Sequence, residues 1–183
     1  LDQITVDGRD SDWGERGLRI GVMSRMGHVG VRNEPSGEAD LRVGWDDKAV
    51  VLFAKVRDEQ RHEPGAIHRG DSIEVFVAPG VGSPDYLQVL VSPGIAGSKN
   101  ATPRMLAVGY GKFKAAKPQV EVAGGPDAGG YQLEMRIPIS DLDLAPADGR
   151  ELAMQFFVND RDVPFEETGD YTRRGNQVDH ICW

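Results

Sequence analysis

Glu74 is the residue of this sequence whose type and setting most invite chemistry. It sits in Gly-Asp-Ser-Ile-Glu-Val-Phe-Val-Ala-Pro, residues 70–79, a strand-length alternation closed by turn residues at both ends. Ile73, Val75 and Val77 fall on one face, and Ser72, Glu74, Phe76 and Ala78 on the other. A carboxylate beside an aromatic ring suits a ligand rich in hydroxyls, because the oxygens accept hydrogen bonds while the ring covers C–H surface. A solvated outer face with a neighbouring cation carries the same residues.

Other alternating stretches repeat the arrangement, with Gln88, Ser92, Gln132, Glu134, Arg136 and Gln155 opposite clean apolar faces. Amides, carboxylates and guanidinium groups match vicinal hydroxyls as donors and acceptors. An ordinary wet sheet is equally compatible with this composition.

Strands must position these groups. Leu41–Trp45 and Ala49–Arg57 form a hairpin about Asp46-Asp47-Lys48, and the second strand is apolar on both faces, as in a sheet centre. Further strands are predicted at 86–92, 104–110, 119–123, 131–137 and 151–159, with a short one at Ile4–Val6. A strand or two is expected between Leu18 and Asp40, Trp13 and Trp45 are expected to be packed, and Ile137–Leu142 ends a strand in one helical turn. No long window has helical periodicity. The fold class is therefore all-β, a two-sheet antiparallel β-sandwich of jelly-roll or immunoglobulin-like type, with at most short helical turns.

At 183 residues the chain is read as one domain over 1–183, and its start at Leu1 rather than Met is expected of a segment excised from a larger protein. A net charge of -8 argues against nucleic acid or an anionic membrane as partner, and no apolar run approaches a membrane span. The lone Cys182 excludes an internal disulfide and leaves the redox compartment open.

Catalytic signatures are missing. Among 29 acidic residues nothing singles out a glycosidase pair. Gly80-Val-Gly82-Ser83-Pro84 is a turn rather than a nucleophile elbow, and Gly109-Tyr-Gly111 lacks the third glycine of a dinucleotide loop. His62 with His68 and His180 with Cys182 lack zinc spacing. Asp46-Asp47 and Asn159-Asp160-Arg161-Asp162 could offer oxygen ligands to calcium, although acidic turns are common without metal. The expectation is a non-catalytic chain with no required cofactor.

Taken together and in order, Asp7-Gly8, Asp12-Trp13, Val43-Gly44-Trp45-Asp46-Asp47, Gly70 to Val77, Tyr131 to Pro138 and Phe156 to Asp160 resemble carbohydrate-binding module family 9. That family is similar to the DOMON-like β-sandwich domains that bind sugar or haem. The resemblance implies a secreted, periplasmic or cell-surface module that binds oligo- or polysaccharide without catalysis, linked to a glycan-active enzyme domain, with structural calcium. It places Glu74 at a sugar-bonding glutamate. His68 stands where the best-known members carry one of two sandwiching tryptophans, and Trp183 is the candidate for the other. Leu90 stands where they carry an arginine-type donor, which leaves Gln88 and Ser92 as the polar groups of that strand. The candidate sugar-binding set is Glu74, His68, Gln88, Trp183, Arg136 and Gln155. Two other functions fit the same sandwich. One is a haem-binding electron-transfer domain, with Met23, Met26, Met105, His28 and His68 as candidate axial ligands, and the other is a spacer or docking module.

Overall fold

In a computed structural model, the structure describes residues 4–20, 24–26, 38–59, 61–62, 66–95, 102–143, 151–160 and 179–182. The strands are β1 Leu18–Ile20, β2 Ser24–Met26, β3 Glu38–Trp45, β4 Ala49–Arg57, β5 Ser72–Ala78, β6 Tyr86–Ser92, β7 Arg104–Tyr110, β8 Glu121–Asp127, β9 Gly130–Pro138, β10 Ala153–Asp160 and β11 Asp179–Cys182. They form a five-stranded sheet, β1-β3-β4-β9-β8, and a six-stranded sheet, β2-β11-β10-β5-β6-β7. Every pairing is antiparallel. The only helical segments among the described residues are 3-10 turns at Ile67–Arg69, Gly111–Ala115 and Ile139–Leu142.

The alternation dictates the core. Leu52, Ala54 and Val56 of β4 with Leu133, Met135 and Ile137 of β9 meet Ile73, Val75 and Val77 of β5 with Leu87, Val89 and Val91 of β6. Burying two inner faces against each other is the dominant favourable term for such a sandwich. β4 sits in the middle of its sheet, in keeping with its two apolar faces.

Those second-face residues of β4, Val51 and Phe53, are covered by the N-terminal segment, which brings Ile4 and Trp13 over them. Trp13 is fully buried and lies 6.2 Å from the Phe53 ring. The fastening is Glu134 of β9, itself fully buried. Its Oε2 accepts the amide N–H groups of Asp7 at 2.9 Å and Gly8 at 3.0 Å, and its Oε1 accepts Trp13 Nε1–H at 2.7 Å. Gly8 has φ +81°, and a Cβ there would stand 2.2 Å from the Gly124 Cα of β8, so only glycine permits this approach.

Three sequence expectations change. Ile4–Val6 is not a strand; it runs as part of the covering segment, with Thr5 N–H donating to Asp12 Oδ2 at 2.8 Å. β11 was not anticipated, because four residues of mixed polarity carry no alternation. Trp45 is 65% exposed rather than packed. It follows the inward parity of Leu41 and Val43, but it lies beyond the last β1 pair, Leu18 with Val43, so that β1 does not flank it.

Candidate functional site

The outer face of the six-stranded sheet gathers most of the predicted polar groups. Register sets Glu74 opposite Phe157 of β10 and Leu90 of β6, and sets Phe76 opposite Gln155 and Gln88. The alternate residues Val75, Val77 and Val89 are buried, so Glu74, Phe76 and Gln88 must face outward. Gln88 donates from Nε2 to Glu74 Oε1, and Tyr110 of β7 donates its hydroxyl to Gln88 Oε1 at 2.8 Å. A polar chain thus crosses three strands.

An aromatic row runs beside it. Phe157 meets Phe76 edge-on at 5.5 Å, Phe76 meets Tyr86 at 6.0 Å, and Tyr86 stacks on Tyr110 at 4.5 Å. Phe76, Tyr86, Tyr110 and Phe157 were not among the predicted site residues. Their outward parity was legible, but nothing in a single strand shows that four of them become neighbours.

The other predicted residues divide. Gln155 is exposed on β10, next to Phe76. His68 is exposed on the 3-10 turn Ile67–Arg69, which lies against β6 and β7. Leu90, outward by register, is buried. Arg136 does not join them: it belongs to β9 in the opposite sheet, where its Nη2 pairs with Asp46 Oδ2 at 2.6 Å. Glu134 and Gln132 lie on that sheet too, engaged with the N-terminal segment and with Asp127. Trp183, Met23 and His28 lie outside the described residues.

A second cluster sits where strands of both sheets end. Asp58 follows β4, Asp71 precedes β5 and Asp160 closes β10; all are buried, with carboxylate oxygens within 4.8 Å of one another. Tyr131 of β9 is buried beside them, and its hydroxyl makes no hydrogen bond among the described residues. Burial first, and then the charges of Asp71, Asp58 and Asp160, push its phenol well above the usual 10.0. Three buried carboxylates with a phenol turned toward them form an oxygen-only donor set of the kind that hard divalent cations select. Of the predicted calcium ligands, Asp160 lies in this cluster and Asp162 falls outside the described residues. Asp46 is committed elsewhere, its Oδ1 accepting the Lys48 and Ala49 amides at 2.8 Å and its Oδ2 accepting Arg136. The missed signal was positional: Asp58 and Asp71 each abut an apolar strand, where burial follows.

Residues 6–172 match the family described as carbohydrate family 9 binding domain-like. The chain belongs to that family. As a family 9 domain it is similar to solved structures of a carbohydrate-binding module family 9 from Caldicellulosiruptor kristjanssonii. The structure in complex with cellotriose has a TM-score of 0.67 at 19% identity, covering 98% of this chain and 79% of that one. The glucose complex gives the same TM-score and identity, with 98% and 81% covered. No curated protein matches the sequence. Family 9 membership and the sandwich agree with the expected fold and family.

Proposed function

We propose that this family 9 domain is a non-catalytic carbohydrate-binding module whose sugar lies on the outer face of the six-stranded sheet. The observation that carries the reading is the Glu74–Gln88–Tyr110 hydrogen-bonded chain running beside an aromatic row, at positions of that face that stay partly exposed among the described residues. Carboxylate, amide and phenol supply both donors and acceptors for hydroxyl groups, and ring edges and faces meet sugar C–H surface. Gln155, paired with Phe76, would extend the contact; His68, exposed on the turn that lies against β6 and β7, and Trp183 belong to the same hypothesis by family resemblance. Binding is modest, because an open polar face gives up water nearly as well held as the ligand. The Caldicellulosiruptor neighbours bound to cellotriose and glucose support a glucan as the first ligand class to test.

Calcium belongs to the same proposal. Asp58, Asp71 and Asp160 would hold it, with the Tyr131 hydroxyl, unbonded among the described residues, at the margin. Its role is structural, since Asp71 also fastens the loop toward His68: Asp71 N–H donates to His62 O at 2.9 Å, and His62 N–H donates back to Asp71 Oδ2. The reading further places the domain in a secreted, periplasmic or cell-surface protein beside a glycan-active enzyme domain.

The test is a glycan array followed by calorimetry on the best ligands, with wild type and Glu74→Ala. Saturable binding lost in the variant supports the reading; equal binding by both moves the site off this face. No binding to any glycan overturns it.

A further inference from the structure

The two sheets have four edge strands among the described residues, β1, β8, β2 and β7, and three of them are blunted. β1 and β2 are three residues long. β8 carries Gly124 and Gly125 at φ 117° and 150°, followed by Pro126, which cannot donate to a further strand. β7 has none of these protections. It pairs with β6 without interruption over its whole length, from Arg104 with Ser92 to Tyr110 with Tyr86, and beyond Arg104 it holds no charge and no proline. Met105 and Leu106 are 38% and 47% exposed, and as chain neighbours they point to opposite faces. Exposure on both faces at once marks an open edge rather than an open face. A strand of this length and polarity, unpaired on one side among the described residues, is a template for another strand.

β7 is also complementary to itself. Laid antiparallel on a second copy about a two-fold axis at Ala107, every residue of the strand finds a partner, which no other centre achieves. Arg104 then meets Tyr110 of the second copy, Leu106 meets Val108, and Met105 meets Gly109, which has no side chain to oppose it. The strand's only charge thus faces an aromatic ring instead of its own counterpart. Met105 also reaches toward Phe113, which packs over Gly109. The sequence from Tyr86 to Val120 contains no Asp or Glu, so the net charge of -8, which opposes association elsewhere, is not carried by this edge. Lys112, just past the strand, is neutralised by Asp143 at 3.3 Å.

We infer that β7 pairs with β7 of a second copy, making a symmetric dimer in which the two six-stranded sheets join into one. The axis is perpendicular to the sheet, so both outer faces, each with its Glu74–Gln88–Tyr110 chain, look to the same side. The inference does not depend on sugar binding.

Sedimentation velocity of the full chain from about 1 µM to 1 mM spans the modest affinities that one strand pair can supply. The expected result is a mass moving from 20.0 kDa toward twice that as concentration rises. Leu106→Lys, which places a charge on the edge, should raise the dissociation constant about tenfold or more. Register is read by disulfide trapping in a Cys182→Ser background. Ala107→Cys lies opposite its own copy and should cross-link on oxidation, whereas Leu106→Cys lies a diagonal step of about 7–8 Å from its copy and should not. Circular dichroism checks that each variant is folded. A chain that stays monomeric throughout the range overturns the inference and leaves the edge to another protein's strand. So does a dimer that Leu106→Lys leaves intact, or one trapped by the Leu106→Cys variant and not by the Ala107→Cys variant.

Discussion

Replacing Glu134 with alanine should strip the fastening of the N-terminal segment while leaving the sugar face intact. The carboxylate accepts three N–H donors, from Asp7, Gly8 and the Trp13 indole, at a fully buried position. A buried donor left without its acceptor costs about 1–3 kcal/mol, so three would cost about 3–6 kcal/mol once some water enters the vacated space. That is comparable with the whole stability of many domains, about 5–15 kcal/mol. Glu134→Gln keeps the shape and one acceptor oxygen but turns an NH2 toward at least one N–H, so it should cost less, about 1–3 kcal/mol. The two variants also separate in pH. Burial pushes the Glu134 carboxyl above its ordinary 4.5, against the downward pull of Trp13, Gly8 and Asp7 and with a further upward push from Asp12. The native state then holds its proton to higher pH than the unfolded chain, so this group's contribution to stability is full below 4.5 and falls as pH rises through the native value. Glutamine has no such proton, so the gap between wild type and Glu134→Gln should be widest below 4.5 and narrow above it. Urea unfolding followed by far-ultraviolet circular dichroism and tryptophan fluorescence measures all three proteins. An alanine variant within about 1 kcal/mol of wild type, below the cost of even one orphaned donor pair, would refute the fastening.

Three further outcomes are expected. Arg136→Ala should lose about 1–3 kcal/mol at neutral pH through its bond to Asp46 and leave glycan affinity unchanged, because it lies on the other sheet. Burial pushes the Asp46 carboxyl up, but Arg136 and the Lys48 and Ala49 amides more than offset it and hold the carboxyl below 3.8, so this stabilisation is present above 3.8 and fades as pH falls beneath it; calorimetry and denaturation from pH 7 to pH 2.5 check both parts. Calcium at about 100 times its dissociation constant should add about 2.7 kcal/mol, which for a domain of this size raises the melting temperature by roughly 5–10 °C, and Asp71→Asn should remove most of that shift in a melting curve taken with and without chelator. Gly8→Ala should lower stability in the same melting assay, since its Cβ would meet the Gly124 backbone at 2.2 Å.

Much of the sandwich was legible because its long strands alternate cleanly between turn residues: β4, β5, β6, β7 and β9 fall within a residue or two of where periodicity puts them. What alternation does not encode is partnership. Glu74, Glu134 and Arg136 all read as outward positions, yet Glu134 and Arg136 face away from the opposite side of the sandwich, and only pairing decides that. The same holds for the aromatic row, which exists through the registers of β5, β6, β7 and β10 together. Trp45 misled because apolar character at a strand's last residue does not ensure a neighbour to bury it. The N-terminal cover replaced an expected strand because its backbone bonds go to side chains, Asp12 and Glu134, rather than to a ladder.

Asp58, Asp71, Tyr131 and Asp160 come from four strand ends shared between both sheets. Their meeting requires β4 to pair with β9 and β5 with β10, pairings between strands far apart in the chain. If those pairings complete after the folding transition state, a cation held there touches little that is formed in it. It should therefore leave the refolding rate almost unchanged and slow unfolding instead, lengthening the lifetime of the native domain rather than hastening its birth.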